Sequence, residues 1–338
     1  MPIILQYWTV NGQGPFPVEV WEELGKGVHG SVHRGKMNNG GDCAVKRFKI
    51  PGECKQEIDH LRYVRNIQGC TRALGYVGSD KNRPEGVLLL LDGMSLKQRL
   101  KLDGCIDRSY AYTEFLVDTR TLFIAIDSLH EVGCCHNDIK PSNVLLRLRP
   151  GDGSRLTDFG NLYRPGDRPR FPEACYCEYG KRHEIPGSES DVFSAGAVTL
   201  EYLVWVVWGP GRVKSFRWER QNEQKDEDSC ELTAFFDNGN ETSGYRRSDV
   251  VSAYLGLLEK QELEFPGILK VVAVLRRMLE VNLNQRLSIR DAVTGWQGAL
   301  SNLQIVSESN PNRFELADLT RQTVKAVHMP QLLGIQSM

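Results

Sequence analysis

Residues 136 to 146 read His136, Asn137, Asp138, Ile139, Lys140, Pro141, Ser142, Asn143, Val144, Leu145 and Leu146. Three of these side chains carry chemistry at short, fixed offsets: a carboxylate at Asp138, an ammonium group at Lys140 and an amide at Asn143. A carboxylate can accept a proton, an ammonium group can neutralise anionic oxygens, and an amide oxygen is a suitable ligand for Mg²⁺. A single Asp or Asn is more often part of an ordinary turn, so the interpretation depends on the rest of the chain.

Three further motifs flank this stretch. An Asp-Phe-Gly triplet follows at residues 158–160, and upstream lie a glycine-rich loop over residues 25–32 and a strand-borne lysine, Lys46. The four motifs in this order resemble those of the eukaryotic-type protein kinase family, serine/threonine kinase-like, over about residues 19 to 300. The resemblance implies an α+β, two-lobed fold, in which a small antiparallel β-sheet lobe carries one helix and the larger lobe is mainly helical.

The resemblance also implies a reaction and a role for each residue. In phosphoryl transfer from ATP the protein mainly positions the reactants and neutralises phosphate charge. Asp138 is identified with the base that accepts the hydroxyl proton, Lys140 with the cation beside the transferring phosphoryl group, and Asn143 and Asp158 with the ligands of Mg²⁺. Asp191 is identified with the aspartate that hydrogen-bonds the backbone of this catalytic loop. A lysine at position 140 is typical of serine/threonine kinases, so a Ser or Thr of a protein substrate is the predicted acceptor.

Two alternatives to an active protein kinase remain at this stage. Small-molecule phosphotransferases of the same fold, such as aminoglycoside and choline kinases, have a similar aspartate and asparagine. They usually lack the pair Lys140 and Pro141 and the pair Phe159 and Gly160, which this chain has. The second alternative is a nucleotide-binding pseudokinase that acts as a scaffold, and the unusual Asn137 supports it.

The glycine-rich loop alone is a weak indication, because dinucleotide-binding folds use the same glycine spacing. Here two predicted strands, 31–35 and 42–48, follow with a turn between them, which predicts a hairpin over a nucleotide and not a Rossmann crossover. Lys46 in the second strand is identified with the family lysine that pairs with the α- and β-phosphates. The predicted nucleotide-binding residues are Gly25, Gly27, Gly30, Val32, Ala44, Lys46 and Leu145.

A glutamate on the next helix holds this lysine in active kinases. Ile58, Leu61 and Val64 recur at helical spacing and predict that helix. Glu57 is the favoured partner of Lys46, although the two residues lie closer in sequence than in most of the family. Glu53 is the alternative partner.

The composition indicates a soluble globular protein, with 41% hydrophobic residues, 25% charged residues and a formal net charge of −1 over 338 residues. The chain has no excess of basic residues, so its composition does not predict nucleic-acid binding. The sequence gives no indication of the oligomeric state. Nine cysteines fit a reducing, intracellular location, which we expect to be the cytoplasm. Residues 1–10 lack the basic region of a secretory signal. The apolar run 195–208 contains Glu201 and is short for a bilayer span, so it predicts a buried helix and no membrane contact.

The chain divides into four predicted segments, and the third of them contains an insertion. Residues 1–18 are a lead-in or an extra strand, 19–91 form the small lobe, and 92–305 form the large lobe. The polar stretch at about 209–249 predicts a partly disordered insertion loop within the large lobe. Residues 306–338 are predicted to be a C-terminal tail.

The activation segment departs from the family pattern. Glu173 is identified with the glutamate that ends this segment, and Arg286 with its buried partner, so the segment is very short. Tyr163 is the only hydroxyl-bearing residue between Gly160 and Glu173. Asn137 stands where the family usually has an arginine that receives an activation-loop phosphate. The sequence therefore predicts activity that does not depend on phosphorylation of this segment.

Overall fold

The computed structural model shows two lobes, as the sequence predicts. It describes ten stretches of the chain, which are residues 3–9, 12–27, 30–80, 83–90, 93–102, 107–147, 153–167, 187–223, 235–237 and 246–309.

Six antiparallel strands of the small lobe form a closed barrel with the order β1-β2-β3-β4-β6-β5. The strands are β1 (Ile3–Thr9), β2 (Phe16–Lys26), β3 (Gly30–Met37), β4 (Asp42–Phe48), β5 (Ala73–Asp80) and β6 (Arg83–Leu90). Strand β4 has the bounds that the sequence predicts, because the apolar run from Cys43 to Val45 and the glycine-containing turn before it define the strand locally.

Strand β1 closes the barrel by pairing with both β2 and β5, since Tyr7 lies opposite Phe16 on one side and Val77 on the other. Successive side chains of a strand point to opposite faces. Accordingly Tyr7 joins the buried cluster inside the barrel, whereas Trp8 stacks on Tyr76 with ring centroids 6.0 Å apart and belongs to the main core. Of the two predictions for residues 1–18, the extra strand is the one observed.

One helix, α1 (Pro51–Val64), packs against β4, β5 and β6. Proline at its first position suits a helix start, because that N–H has no partner within the helix. The buried side of α1 carries Cys54, Ile58, Leu61 and Val64. The polar residues in the same turns of α1 face the large lobe.

A short connection leads into the large lobe. Strand β7 (Gly93–Ser95) pairs with β8 (Val144–Arg147), which pairs in turn with β9 (Ser154–Leu156). Ser95 starts helix α2 with a capping box formed with Gln98. The other helices are α3 (Arg108–Glu131), α4 (Ser188–Trp208), α5 (Pro210–Glu223), α6 (Asp249–Glu259), α7 (Ile268–Met278) and α8 (Ile289–Ser309), and α2 spans Leu96–Arg99.

Helix α4 is the central helix of the large lobe and packs against α3, α5 and α7. It is long and apolar enough to cross a membrane, but 94% of its apolar window is buried inside the protein. The prediction of a buried helix over 195–208 is confirmed, although the helix starts earlier, at Ser188. Other helices cover the sides of α4. This buried helix supports the catalytic loop.

The prediction of an insertion loop at about 209–249 is wrong for the first part of this stretch, because residues Pro210–Glu223 form helix α5. A short two-stranded sheet, β10 (Phe236–Asp237) with β11 (Arg246–Arg247), lies further along. The helix is polar in composition but is fixed by a buried ion pair, in which Arg220 Nη2 lies 2.7 Å from Glu201 Oε1 of α4. Helix α8 also runs beyond the predicted boundary at 305, to Ser309.

A buried carboxyl group in the large lobe should make stability depend on pH. Burial and the nearby Glu114 raise the pKa of Asp118 to about 7, against the opposing effects of the Tyr202 hydroxyl, 2.9 Å away, and Arg99. The unfolded value is about 3.9, so the folded protein binds the extra proton and loses stability as pH rises from about 4 to 7.

We expect Asp118→Asn to remove this loss. Relative to the parent, the variant should gain roughly 2.5 kcal/mol of stability from pH 5 to pH 8, since about two pKa units of the shift lie above pH 5 and one unit is about 1.4 kcal/mol. Chemical denaturation at both pH values measures the difference. An identical pH dependence in the two proteins would contradict the assignment.

Candidate active site

Asp191, at the start of α4, fixes the catalytic loop through hydrogen bonds to its backbone. Its two carboxylate oxygens accept the backbone N–H groups of His136 and Asn137 at 2.7 and 2.9 Å, and the His130 ring donates to it at 3.0 Å. Burial alone would raise the pKa of Asp191, but the hydrogen bond from His130 and the neighbouring donors hold it below its ordinary value. Asn137 has a positive φ of 61°, which asparagine tolerates better than most residues.

Asp138, Lys140 and Asn143 come together as the sequence predicts. Lys140 Nζ lies 2.7 Å from Asp138 Oδ2, and the Asn143 amide donates to the backbone oxygen of Asp138 at 2.8 Å and to the same Oδ2 at 3.1 Å. Oδ1 of Asp138 is buried and accepts no hydrogen bond from the residues that the structure describes. Burial raises the pKa of Asp138 and Lys140 opposes that shift, so one oriented carboxylate oxygen remains available to accept a proton.

Lys46 lies between two carboxylates on the opposite side of the cleft. Its Nζ is 3.1 Å from Glu57 Oε2 and 2.7 Å from Asp158 Oδ1. Burial alone would lower the pKa of Lys46, but the two carboxylates raise it. Burial would likewise raise the pKa of Asp158, yet Lys46, with Lys140 and His136, lowers it to about 2. The site therefore holds a charged ammonium group and a deprotonated Asp158, and Glu57, rather than Glu53, is the residue that pairs with Lys46.

Helix α1 also contacts the backbone around Phe159. The His60 ring donates from Nδ1 to the Phe159 carbonyl at 2.6 Å, and Gln56 Nε2 donates to the Gly160 carbonyl at 3.1 Å. The Phe159 ring is fully buried and lies edge-to-face on His136, with centroids 5.2 Å apart. Neither His60 nor Gln56 was predicted from the sequence as a residue of the site. The available signal was a histidine on the apolar face of α1, between Ile58 and Leu61.

The predicted nucleotide-binding residues lie along β2, β3, β4 and β8. A Cβ atom added to Gly25 or Gly27 would meet open space, whereas one added to Gly30 would lie 1.9 Å from the Arg47 carbonyl oxygen. Ala44 and Val32 belong to the main apolar cluster. Leu145 is half-buried on β8, opposite Ser95. Packing therefore does not require glycine at positions 25 and 27. These two glycines leave open space above the cleft.

Alanine substitutions should separate these glycines by their effects. Gly25→Ala should change the free energy of unfolding by less than about 0.5 kcal/mol but raise the KM for ATP several-fold, because its methyl group narrows the open space. Gly30→Ala should destabilise the protein by about 1 to 3 kcal/mol, since the clash is with backbone. Denaturant titrations and ATP kinetics test both. An unchanged KM in Gly25→Ala would argue against a nucleotide at this loop.

The start of the activation segment is ordered by backbone pairing. Tyr163 and Cys135 exchange two N–H to carbonyl hydrogen bonds, of 2.8 and 3.0 Å. Arg164 forms a two-point contact with Asp167, at 2.9 and 3.2 Å, and its guanidinium lies 5.8 Å from the centre of the Tyr63 ring. The segment is therefore fixed up to Asp167 without any modified residue.

The rest of the activation segment, with Glu173, lies outside the described residues. Its predicted partner Arg286 is buried and donates to the backbone carbonyls of Glu280 at 2.7 Å and Glu189 at 3.0 Å. Its guanidinium also lies over the Phe193 ring, 5.1 Å from the centroid. Arg286 thus ties the end of the large lobe to the start of α4.

Comparison with known proteins identifies this arrangement. Residues 18–296 match the protein kinase domain family, so the chain belongs to that family. It is 28% identical to "Myosin light chain kinase 3" of Danio rerio over 216 residues, which cover 59% of this chain and 28% of that protein. It is 29% identical to "Calcium-dependent protein kinase 22" of Oryza sativa subsp. japonica over 211 residues (57% and 36%). It is also 25% identical to "Tyrosine-protein kinase SPK-1" of Girardia tigrina over 228 residues (60% and 42%). The chain spans less than half the length of these relatives.

Members of this family typically use ATP with Mg²⁺, and the residues present fit that pair. Asn143 uses its amide nitrogen on Asp138, so a lone pair of its oxygen, which also accepts a hydrogen bond from Ser142 Oγ at 3.3 Å, is available to a metal ion, and Asp158 is deprotonated. Both offer the hard oxygen atoms that Mg²⁺ prefers. The open space at Gly25 and Gly27 suits the close approach of phosphates to backbone N–H groups.

Proposed function

We propose that the chain is a serine/threonine protein kinase that transfers the γ-phosphate of MgATP to a protein hydroxyl group. The observation that carries the proposal is the buried Oδ1 of Asp138, which accepts no hydrogen bond from any residue in the described part of the chain. The other oxygen of that carboxylate is fixed by Lys140 and Asn143. A base that is oriented in this way and is free on one side is suited to accept a hydroxyl proton.

Each charged residue of the site has a part in this reaction. The hydroxyl proton passes to Asp138 Oδ1 while the hydroxyl oxygen bonds to the γ-phosphorus and ADP leaves. Lys140, 2.7 Å from Asp138, is placed to neutralise the transferring phosphoryl group, and Lys46 to hold the α- and β-phosphates. Bound Mg²⁺, held by Asn143 and Asp158, supplies further neutralisation of phosphate charge. Glu57 keeps Lys46 in position.

The choice of Ser or Thr as acceptor rests on Lys140, since a lysine at this position is typical of serine/threonine kinases. The relatives include both kinds of kinase by name, so acceptor specificity needs its own measurement. We further propose a cytoplasmic location and a protein substrate, without nucleic acid or membrane. In support of the location, Cys43, Cys54, Cys70, Cys134 and Cys135 are all free and buried.

The test is phosphate transfer from labelled ATP to peptide libraries that contain Ser, Thr or Tyr as the sole acceptor. We expect transfer to Ser and Thr, and its loss in Asp138→Asn, which keeps the shape of the side chain but not its basicity. Transfer to Tyr alone would overturn the acceptor assignment. Nucleotide binding without transfer by the parent would favour the pseudokinase alternative.

Activity should not require phosphorylation of the activation segment. Asn137 offers no charge for a phosphate, and backbone pairing with Cys135 already orders Tyr163. Phosphatase-treated protein and Tyr163→Phe should keep the parent rate on a peptide substrate at matched concentration. A tenfold fall in either, about 1.4 kcal/mol in barrier height, would show that a phosphate switch exists.

A further inference from the structure

We propose that His60 of helix α1 is a positioning residue that fixes the Asp158 to Gly160 segment through its backbone, with Gln56 as a second contact. This inference rests on the proposed function, because Asp158 is the metal ligand to be positioned. Under this proposal His60 and Gln56 act on the backbone of the segment and not on a side chain of the site.

The contacts form a two-point attachment. His60 donates to the Phe159 carbonyl, and Gln56 donates to the Gly160 carbonyl. His60 is buried, and at 2.6 Å its hydrogen bond is short. The acceptor is a carbonyl oxygen, so Nδ1 must carry the proton. Two donors from successive turns of one helix thus bind two consecutive residues.

The segment needs such an attachment because Asp158 has an unusual backbone conformation. Its φ is 65°, in the left-handed region that costs an L-residue about 1 kcal/mol or more. A segment under this strain stays in place only when neighbouring contacts fix it. The attachment begins at the residue directly after Asp158, so it controls the direction of the Asp158 carboxylate.

Helix α1 and the metal-binding segment consequently move as one unit. Glu57 binds Lys46, and His60, which binds the Phe159 carbonyl, lies one turn further along the same helix. Asn137 lacks the charge with which a phosphate could order the loop from the other side. The contacts from α1 therefore supply an ordering that needs no modification.

Substitutions of His60 separate the hydrogen bond from the packing. In His60→Asn the amide nitrogen lies the same number of bonds from Cβ as Nδ1, so it can donate to Phe159. In His60→Gln the donor lies one bond further out, and His60→Leu has none. Gln56→Met removes the second contact at a half-buried position that should not impair folding. Arg62→Gln is the matched control, because Arg62 is exposed on the same helix and pairs with Asp59.

Two measurements are needed: kcat and KM on a Ser/Thr peptide with MgATP, and amide hydrogen exchange of residues 158–163 without substrate. We expect His60→Leu and His60→Gln to lower kcat at least tenfold with little change in peptide KM, and to speed exchange at least tenfold. His60→Asn should restore both to within threefold of the parent, Gln56→Met should be intermediate, and Arg62→Gln should match the parent.

Equal impairment of His60→Asn and His60→Leu would overturn the proposal in favour of packing alone, as would parental exchange in both His60→Leu and Gln56→Met. Hydrogen exchange requires no catalysis. If the parent transfers no phosphate, the proposed function fails, whereas the exchange result still decides whether α1 fixes the segment.

Discussion

Asp158→Asn should lower kcat at least a hundredfold and leave the fold intact. The substitution removes the charge that Mg²⁺ requires, and a hundredfold loss corresponds to about 2.7 kcal/mol of barrier height. Asparagine is preferable to alanine here because φ of Asp158 is 65°, a conformation that asparagine adopts more easily. Steady-state transfer to a Ser/Thr peptide with MgATP measures the effect.

Two controls make this result specific. The unfolding midpoint of Asp158→Asn should fall only modestly below that of the parent. The variant gives up the stability that accompanies the lowered pKa of Asp158, but this side chain is 36% exposed and Lys46 keeps its pair with Glu57. Lys46→Met should also lose activity, because it removes the cation that is proposed to hold the phosphates. Parental turnover in Asp158→Asn would contradict its role as a metal ligand.

The sequence predicted those parts of the site that local motifs define. The catalytic loop, Asp158, Lys46 and the hairpin that carries it each have a signature within a few residues, and the structure brings them together. Hydrophobic spacing also located α1 and with it Glu57. The roles of these residues in catalysis stay predictions until the kinetics are measured.

The features that the sequence did not predict depend on contacts between distant segments. Closure of the barrel needs β1 to pair with β5, which no local pattern encodes. The polar composition of α5 is typical of a loop, but Val213 and Phe216 are buried, and the buried pair of Arg220 and Glu201 joins the helix to α4. His60 is a polar residue among the apolar buried residues of α1, and its acceptor lies in the other lobe. Propensity and periodicity cannot identify such partners.

The buried ion pair itself is expected to have the largest effect on stability. Glu201 and Arg220 are both fully buried, and Arg217 makes a second contact with Glu201 at 2.6 Å. The Arg220 guanidinium also lies against two aromatic rings, 4.3 Å from the centre of Phe216 and 3.8 Å from that of Phe235. These contacts fix α5 to the central helix α4, so the pair controls the position of the whole inserted helix.

Glu201→Gln should lower the free energy of unfolding by about 3 to 5 kcal/mol, because it leaves the buried Arg220 charge without this counterion. The two rings offset part of the loss through cation–π attraction, which places the expected value near the lower end of that range. Glu259→Gln is the matched control, since Glu259 pairs with Arg276 at a half-exposed position and should cost less than about 1 kcal/mol. Urea titrations of the three proteins give the comparison. Equal losses in the two variants would show that the buried pair does not hold α5 in place.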